Sequence, residues 1–147
     1  MIDQQFIGHV LPSYTNAVEP GRLKFFAKAI GQRDPVYLDE AAAHDAGYPG
    51  IPVPPTFLFC LEMEAPNPAA VRELLGVDIG KVLHGEQSFT YHAMAHAGDC
   101  LTFEPRIADI YAKKGGALEF VVRETRVTNQ HGQRVADLRC VTVVRNG

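Results

Sequence analysis

Nine residues, Gly47-Tyr48-Pro49-Gly50-Ile51-Pro52-Val53-Pro54-Pro55, hold four prolines and two glycines. The ten that follow, Thr56 to Ala65, open with two turns that are apolar on every side. Proline fixes φ and offers no N–H, so the first segment is a stiff, irregular loop. A helix that is apolar all round is stable in water only when it is buried. The chain must therefore wrap other structure around Thr56–Ala65, and Pro66 stops that helix.

The second half supplies the wrapping as a meander of strands. Val82 to His92 is the first candidate, with Val82, His84, Glu86, Ser88 and Thr90 on one face by the period of two. Leu101 to Tyr111 is the second. Lys113-Lys114-Gly115-Gly116 turns the chain into Ala117–Thr128, where Leu118, Phe120 and Val122 alternate against Glu119 and Arg123. Asn129-Gln130-His131-Gly132 turns it again into Arg134–Arg145. The first half is mostly helical. Extended Leu11–Val18 leads to a helix opened by Glu19-Pro20-Gly21 and ended by Gly31, with Leu23, Phe26, Ala27 and Ile30 on its core side. A short helix spans Asp39–Ala46, and another stretch runs from Pro68 to Leu75. Helices followed by strands define an α+β fold, a curved antiparallel sheet around a long buried helix. A sheet with a long uncovered edge is expected to pair with a second copy.

A chain of 147 residues suits one domain over 1–147. It is large enough to bury about 70% of its unfolded surface without disulfides or metal. The net charge of −3 and the lack of any basic run argue against nucleic acid or an anionic membrane as partner. No apolar run approaches membrane-spanning length, and Met1-Ile2-Asp3-Gln4-Gln5 carries no targeting pattern. Cys60, Cys100 and Cys140 are few, odd in number and far apart, as expected of three buried thiols in a reducing cytoplasm.

The start of the buried helix is the first candidate site. Its leading N–H groups have no internal partners and carry partial positive charge. Pro55, Thr56 and Phe57 are therefore candidate binding residues for a carbonyl oxygen that gains negative charge during reaction. The same residues also serve a simple core helix with a stiff lead-in.

Three motifs in order, Gly50-Ile51-Pro52-Val53-Pro54-Pro55-Thr56-Phe57, Leu83-His84-Gly85-Glu86-Gln87-Ser88-Phe89 and Ala97-Gly98-Asp99, resemble the N-terminal-type MaoC-like dehydratase domains. The resemblance spans about Gly8 to Arg145. It implies a hot-dog fold that dimerises into a double hot dog. It also implies a (3R)-hydroxyacyl-thioester dehydratase or R-specific enoyl-CoA hydratase, with an acyl-CoA or acyl-carrier-protein thioester as ligand and no cofactor. Catalytic members carry Gly-Asp, one spacer, Asn-Pro, an aliphatic residue and His, whose Asp and His move the protons. Here the segment reads Gly31-Gln32-Arg33-Asp34-Pro35-Val36-Tyr37. Gln32 stands at the Asp position and Tyr37 at the His position. A Gln is no base, and a Tyr of ordinary pKa about 10 is a poor one near neutrality. The pattern is similar to the non-catalytic halves of double hot-dog hydratases, which work beside a half bearing the dyad.

Other residues are candidate replacements. Asp34 is a base if it faces the cleft and a turn residue if it does not. Glu62 and Glu64 end the buried helix, where a carboxyl either stays inside or reaches solvent. His84 and Glu86 are expected on one face and can orient substrate or form a structural contact. His92 and His96 lack companions in ligand register and read as loop residues, leaving no metal site. Asp99 reads as a turn residue. Tyr14, Tyr37, Tyr48 and Tyr91 are candidate pocket or packing residues. Three functions stand side by side: the acyl-holding subunit of a two-part dehydratase, a homodimeric hydratase or thioesterase with a non-standard site, and a non-enzymatic acyl-thioester scaffold.

Overall fold

The structure, a computed structural model, describes residues 1–147. The chain runs β1 (Tyr14–Ala17), α1 (Pro20–Ala29), α2 (Glu40–Asp45), α3 (Phe57–Glu62), α4 (Ala70–Leu74), β2 (Val82–Tyr91), β3 (Cys100–Lys113), β4 (Leu118–Thr128) and β5 (Arg134–Arg145). The all-apolar segment is buried as expected, with Phe57, Leu58, Leu61 and Glu62 inside. Its regular helix covers six residues rather than the full Thr56–Ala65. Beyond Glu62 the bonding tightens: Glu64 N–H donates to Leu61 O and Ala65 N–H to Glu62 O. Pro66 disfavours helical geometry in the residue before it, so the last turn cannot continue.

α1 packs against α3: Leu23 shares the core cluster with Phe57, Leu58 and Leu61, and the Phe26 and Phe57 rings lie 5.0 Å apart. Ile30, expected on that face, stands at the C-cap and is exposed, because the helix has already ended. Gly31 takes the positive φ of +74° that turns the chain away. Asp39 caps α2 through the Ala41 N–H.

The five strands form one antiparallel sheet in the order β1-β3-β4-β5-β2. β3, β4 and β5 make the expected meander. β2, in contrast, lies beyond β5 instead of next to β3. Residues 92–99 carry the chain back across the sheet, pinned to the proline-rich loop by Val53 N–H to Ala95 O and Ala97 N–H to Ile51 O. β2 is therefore an edge strand with β5 as its one neighbour.

Two faces differ from the sequence expectation. His84 pairs with Thr142 and Glu86 with Val141, so a bulge at Gly85 lies between them. The bulge inserts one residue, which reverses every side chain after it. His84 and Glu86 therefore face opposite sides: His84 meets Phe59 edge-on at 5.2 Å, whereas Glu86 reaches Arg139 outside at 3.5 Å. Gly85 is required there, since a Cβ would stand 2.7 Å from Val143 Cγ2 and 3.0 Å from Val141 O. Gly85→Ala is expected to cost about 1–3 kcal/mol, measured by denaturant unfolding.

In β4, Glu119 and Arg123 turn inward rather than out. Glu119 accepts the Ile2 N–H at 2.6 Å and the Asn146 Nδ2–H at 2.6 Å, and Arg123 meets Glu62. The solvent face shows instead as two cross-strand rows of alternating charge, Glu104–Arg126–Asp137 and Arg106–Glu124–Arg139. Opposite charges facing each other across strands stabilise such a face modestly. Of the three cysteines, Cys140 alone is buried; Cys60 and Cys100 are half-buried, and all three are free thiols.

Candidate functional site

Gln32 and Tyr37 flank a short turn after α1. The Gln32 Oε1 accepts the N–H groups of Arg33 at 3.0 Å and Asp34 at 3.1 Å. Asp34 Oδ1 accepts the Val36 N–H at 3.1 Å and caps the turn Pro35–Tyr37. Both side chains are thus occupied in holding the loop, and Asp34 is the turn residue its place before proline suggests. Tyr37 is half-buried, and burial followed by the neighbouring Tyr48 and Asp34 pushes its hydroxyl above the usual pKa. A phenol shifted upward is a still weaker base partner near neutrality.

Tyr37 lines an apolar cleft of about 310 Å³ with Pro55, Leu58, Tyr91, His92 and Val135. Pro55 is exposed at its edge and Thr56 is exposed beyond it, but Phe57 is a core residue whose ring sits beneath the Arg22 guanidinium at 5.3 Å. The Phe57 N–H is donated to Pro54 O and the Phe59 N–H to Thr56 O. His92, read from sequence as a loop histidine, is held through Nε2 by Asp137 Oδ2 at 2.7 Å. Burial works against the Asp137 charge, but hydrogen bonds from Arg134 and His92 hold this carboxyl below the usual range. An oriented imidazole therefore borders the Tyr37 cleft. The sequence gives no signal for it, because Asp137 lies 45 residues away on another strand.

A second space opens on the other side of α3. A groove of about 350 Å³ runs between α3, α4 and the inner sheet face, walled by Phe59, Val71, Leu75, Val82, Val121 and Val144. His84, Cys140 and Thr142 form its polar floor, with Cys140 Sγ 3.9 Å from His84 Nε2. Burial raises the Cys140 thiol pKa, so it stays protonated and unreactive. Next to the groove lies a pocket of about 250 Å³ containing Tyr14, Pro66, Glu62 and Arg123.

Glu62 is 4% exposed. Thr125 Oγ1 donates to its Oε1, and Arg123 Nε stands 3.2 Å from the same oxygen. β1 satisfies the end of α3: the Tyr14 hydroxyl donates to Glu62 O at 2.8 Å and Asn16 Nδ2–H to Leu61 O at 2.7 Å. Burial, then the Glu62 charge, drives the Tyr14 hydroxyl pKa upward. Glu64 points away to solvent and pairs with Arg22. Asp99 accepts the His96 N–H at 2.9 Å, a turn role. No group of three or more His, Cys, Asp or Glu side chains is placed to hold a metal. No helix is long and apolar enough to cross a membrane.

A short central helix gripped by a five-stranded antiparallel sheet, with an apolar groove between them, defines a hot-dog fold. The chain belongs to the FAS1-like dehydratase family, whose dehydratase domain region it matches over residues 5–138. It is 38% identical over 146 residues to a UPF0336 protein of Saccharopolyspora erythraea, covering 98% of this chain and 92% of the relative. Among solved structures it is similar to the C-terminally truncated HadBC (3R-hydroxyacyl-ACP dehydratase) complex of Mycobacterium tuberculosis. That likeness has a TM-score of 0.79 and 25% identity over 94% of this chain and 96% of that one. It is also similar to a MaoC-like dehydratase, with a TM-score of 0.81 and 26% identity over 95% of this chain and 42% of that one.

Proposed function

We propose that this chain is the acyl-holding subunit of a two-part (3R)-hydroxyacyl-thioester dehydratase or enoyl-thioester hydratase, and that a partner hot-dog domain supplies the Asp/His pair. The observation that carries the reading is the occupation of Gln32 and Asp34 in the loop itself. With Tyr37 shifted upward beside them, no base remains at the dyad positions, while the apolar groove along α3 is intact. The ligand is an acyl-CoA or acyl-carrier-protein thioester whose chain lies in that groove. The exposed edge strand β2, with Leu83 and Tyr91 about half-exposed, is the surface for the partner domain. The likeness to a dehydratase that is a complex of hot-dog subunits supports this arrangement.

A long saturated acyl-CoA titrated into the chain tests the groove. Leu75→Trp, which fills it, is expected to weaken binding of the long chain by about tenfold or more, since a displaced buried chain loses roughly 0.8 kcal/mol per CH₂. A short-chain acyl-CoA should bind both proteins alike. Equal affinity of both proteins for the long chain sinks the assignment of the groove. A second reading, a chain active on its own, is favoured by one observation: the Asp137-held His92 at the Tyr37 cleft.

A further inference from the structure

Residues 66–80, which join the end of α3 to β2, roof the groove and the pocket beside it. Pro68, Val71, Leu75 and Val77 line the groove, and Pro66, Pro68, Ala70 and Val71 line the pocket. The roof is tied to itself and hardly to what it covers. Its backbone hydrogen bonds run within the stretch or to the adjoining Lys81 and Val82. Its side-chain bonds, from Asn67 to Glu73, from Arg72 to Val77 O and from the Gly80 N–H to Asp78, are internal too. No ion pair reaches it. None of residues 66–80 is buried.

α4 is also closed at both ends without outside help. Gly76 N–H donates to Glu73 O at 3.1 Å and Val77 N–H to Arg72 O at 2.9 Å, which satisfies its last carbonyls. At its start Asn67 accepts the Ala69 N–H on Oδ1 at 3.0 Å and the Ala70 N–H on its carbonyl at 3.1 Å. A helix capped in this way keeps its own bonds when it leaves the surface beneath it. What holds it down is Ala70, Val71, Leu74 and Leu75, partly buried against Leu11, Ile107, Ile110 and Val121. Segments anchored by a few apolar contacts open at a free energy well below that of global unfolding.

We infer that residues 66–80 are a lid that lifts as one piece to admit an acyl chain from the side, so that lid opening limits how fast the groove is loaded. This rests on the reading of the groove as the acyl-holding site. Lifting four partly buried side chains uncovers the groove along its length, and the acyl chain then replaces water against Val71, Leu75 and Val121. Leu74 reports on the lid alone, because it packs on the sheet cluster but lines neither cavity.

The test is stopped-flow binding of dodecanoyl-CoA, with hydrogen exchange of the free and loaded chain. Peptides covering 66–80 should exchange about tenfold or more faster than those of β4 and β5, and slow on loading. The observed binding rate should level off as dodecanoyl-CoA rises, since opening caps it. Leu74→Ala should raise that ceiling about tenfold by removing a partly buried leucine, and Leu74→Met should leave it unchanged. If dodecanoyl-CoA binds, yet Leu74→Ala leaves the ceiling unmoved or lowers it, the lid is refuted and the acyl groove stands. Loading that protects the sheet but not residues 66–80 refutes it equally. If no acyl-CoA binds, the groove reading fails and the inference falls with it.

Discussion

The purified chain alone is expected to leave trans-2-enoyl-CoA unhydrated, and to gain turnover only when mixed with a hot-dog domain that carries an intact Asp/His signature. Positioned general acid–base groups contribute about 10²–10⁴-fold each to such proton transfers. At positions 32 and 37 this chain offers an amide locked onto two backbone N–H groups and a phenol pushed above its ordinary pKa. Neither takes or gives a proton usefully near neutrality. Enoyl absorbance followed together with thiol release checks the prediction and also separates hydration from thioester hydrolysis. Normal turnover by the chain alone contradicts it. His92 is then the residue to change first, because Asp137 already orients its ring at the cleft. In that event His92→Gln should abolish the activity, whereas Tyr37→Phe should leave it nearly intact.

The largest effect on stability is expected from Arg123→Ala. That change leaves the Glu62 carboxylate buried with Thr125 as its remaining side-chain partner. Breaking a buried ion pair from one side costs about 3–5 kcal/mol. Against the roughly 5–15 kcal/mol that holds a domain of this size together, such a loss is severe. Replacing both members with apolar residues of similar volume is often neutral, so Glu62→Leu/Arg123→Met should unfold within about 1–2 kcal/mol of wild type. Urea titrations of Arg123→Ala and of the double variant decide the point. A single variant as stable as wild type would mean that the pair carries little of the core.

Much of the sheet is legible in the sequence because turn chemistry brackets it. Gly115-Gly116 and Asn129-Gln130-His131-Gly132 set the ends of β4 and the start of β5 to within a residue. The buried helix is legible because Phe57–Leu61 offers no polar face. What the period of two could not give is which side a strand turns. At Gly85 a single inserted residue separates His84 from Glu86, and the reason that residue is Gly lies in Val141 and Val143 on another strand. In β4 the decisive signal lay at the far end. Val127, Thr125 and Val121 share a parity with Arg123 and Glu119, while Glu124 and Arg126 mark the solvent side.

The candidate site was legible in part. That positions 32 and 37 hold a Gln and a Tyr is read off at once, and the turn role of Asp34 follows from its place before proline. The Glu62–Arg123 and His92–Asp137 pairs join residues 61 and 45 positions apart. Separations of that size become contacts only through the topology, so no local pattern announces them.

The most direct measurement is photolabelling of the chain, alone and beside a dyad-bearing partner, with an acyl-CoA carrying a diazirine near the end of its chain. Labelled peptides containing Phe59, Val71 or Val121 are the predicted result, because these side chains wall the groove under α3 and α4. Label found only on the partner, or spread over this chain's outer charged face, would contradict an acyl-holding role.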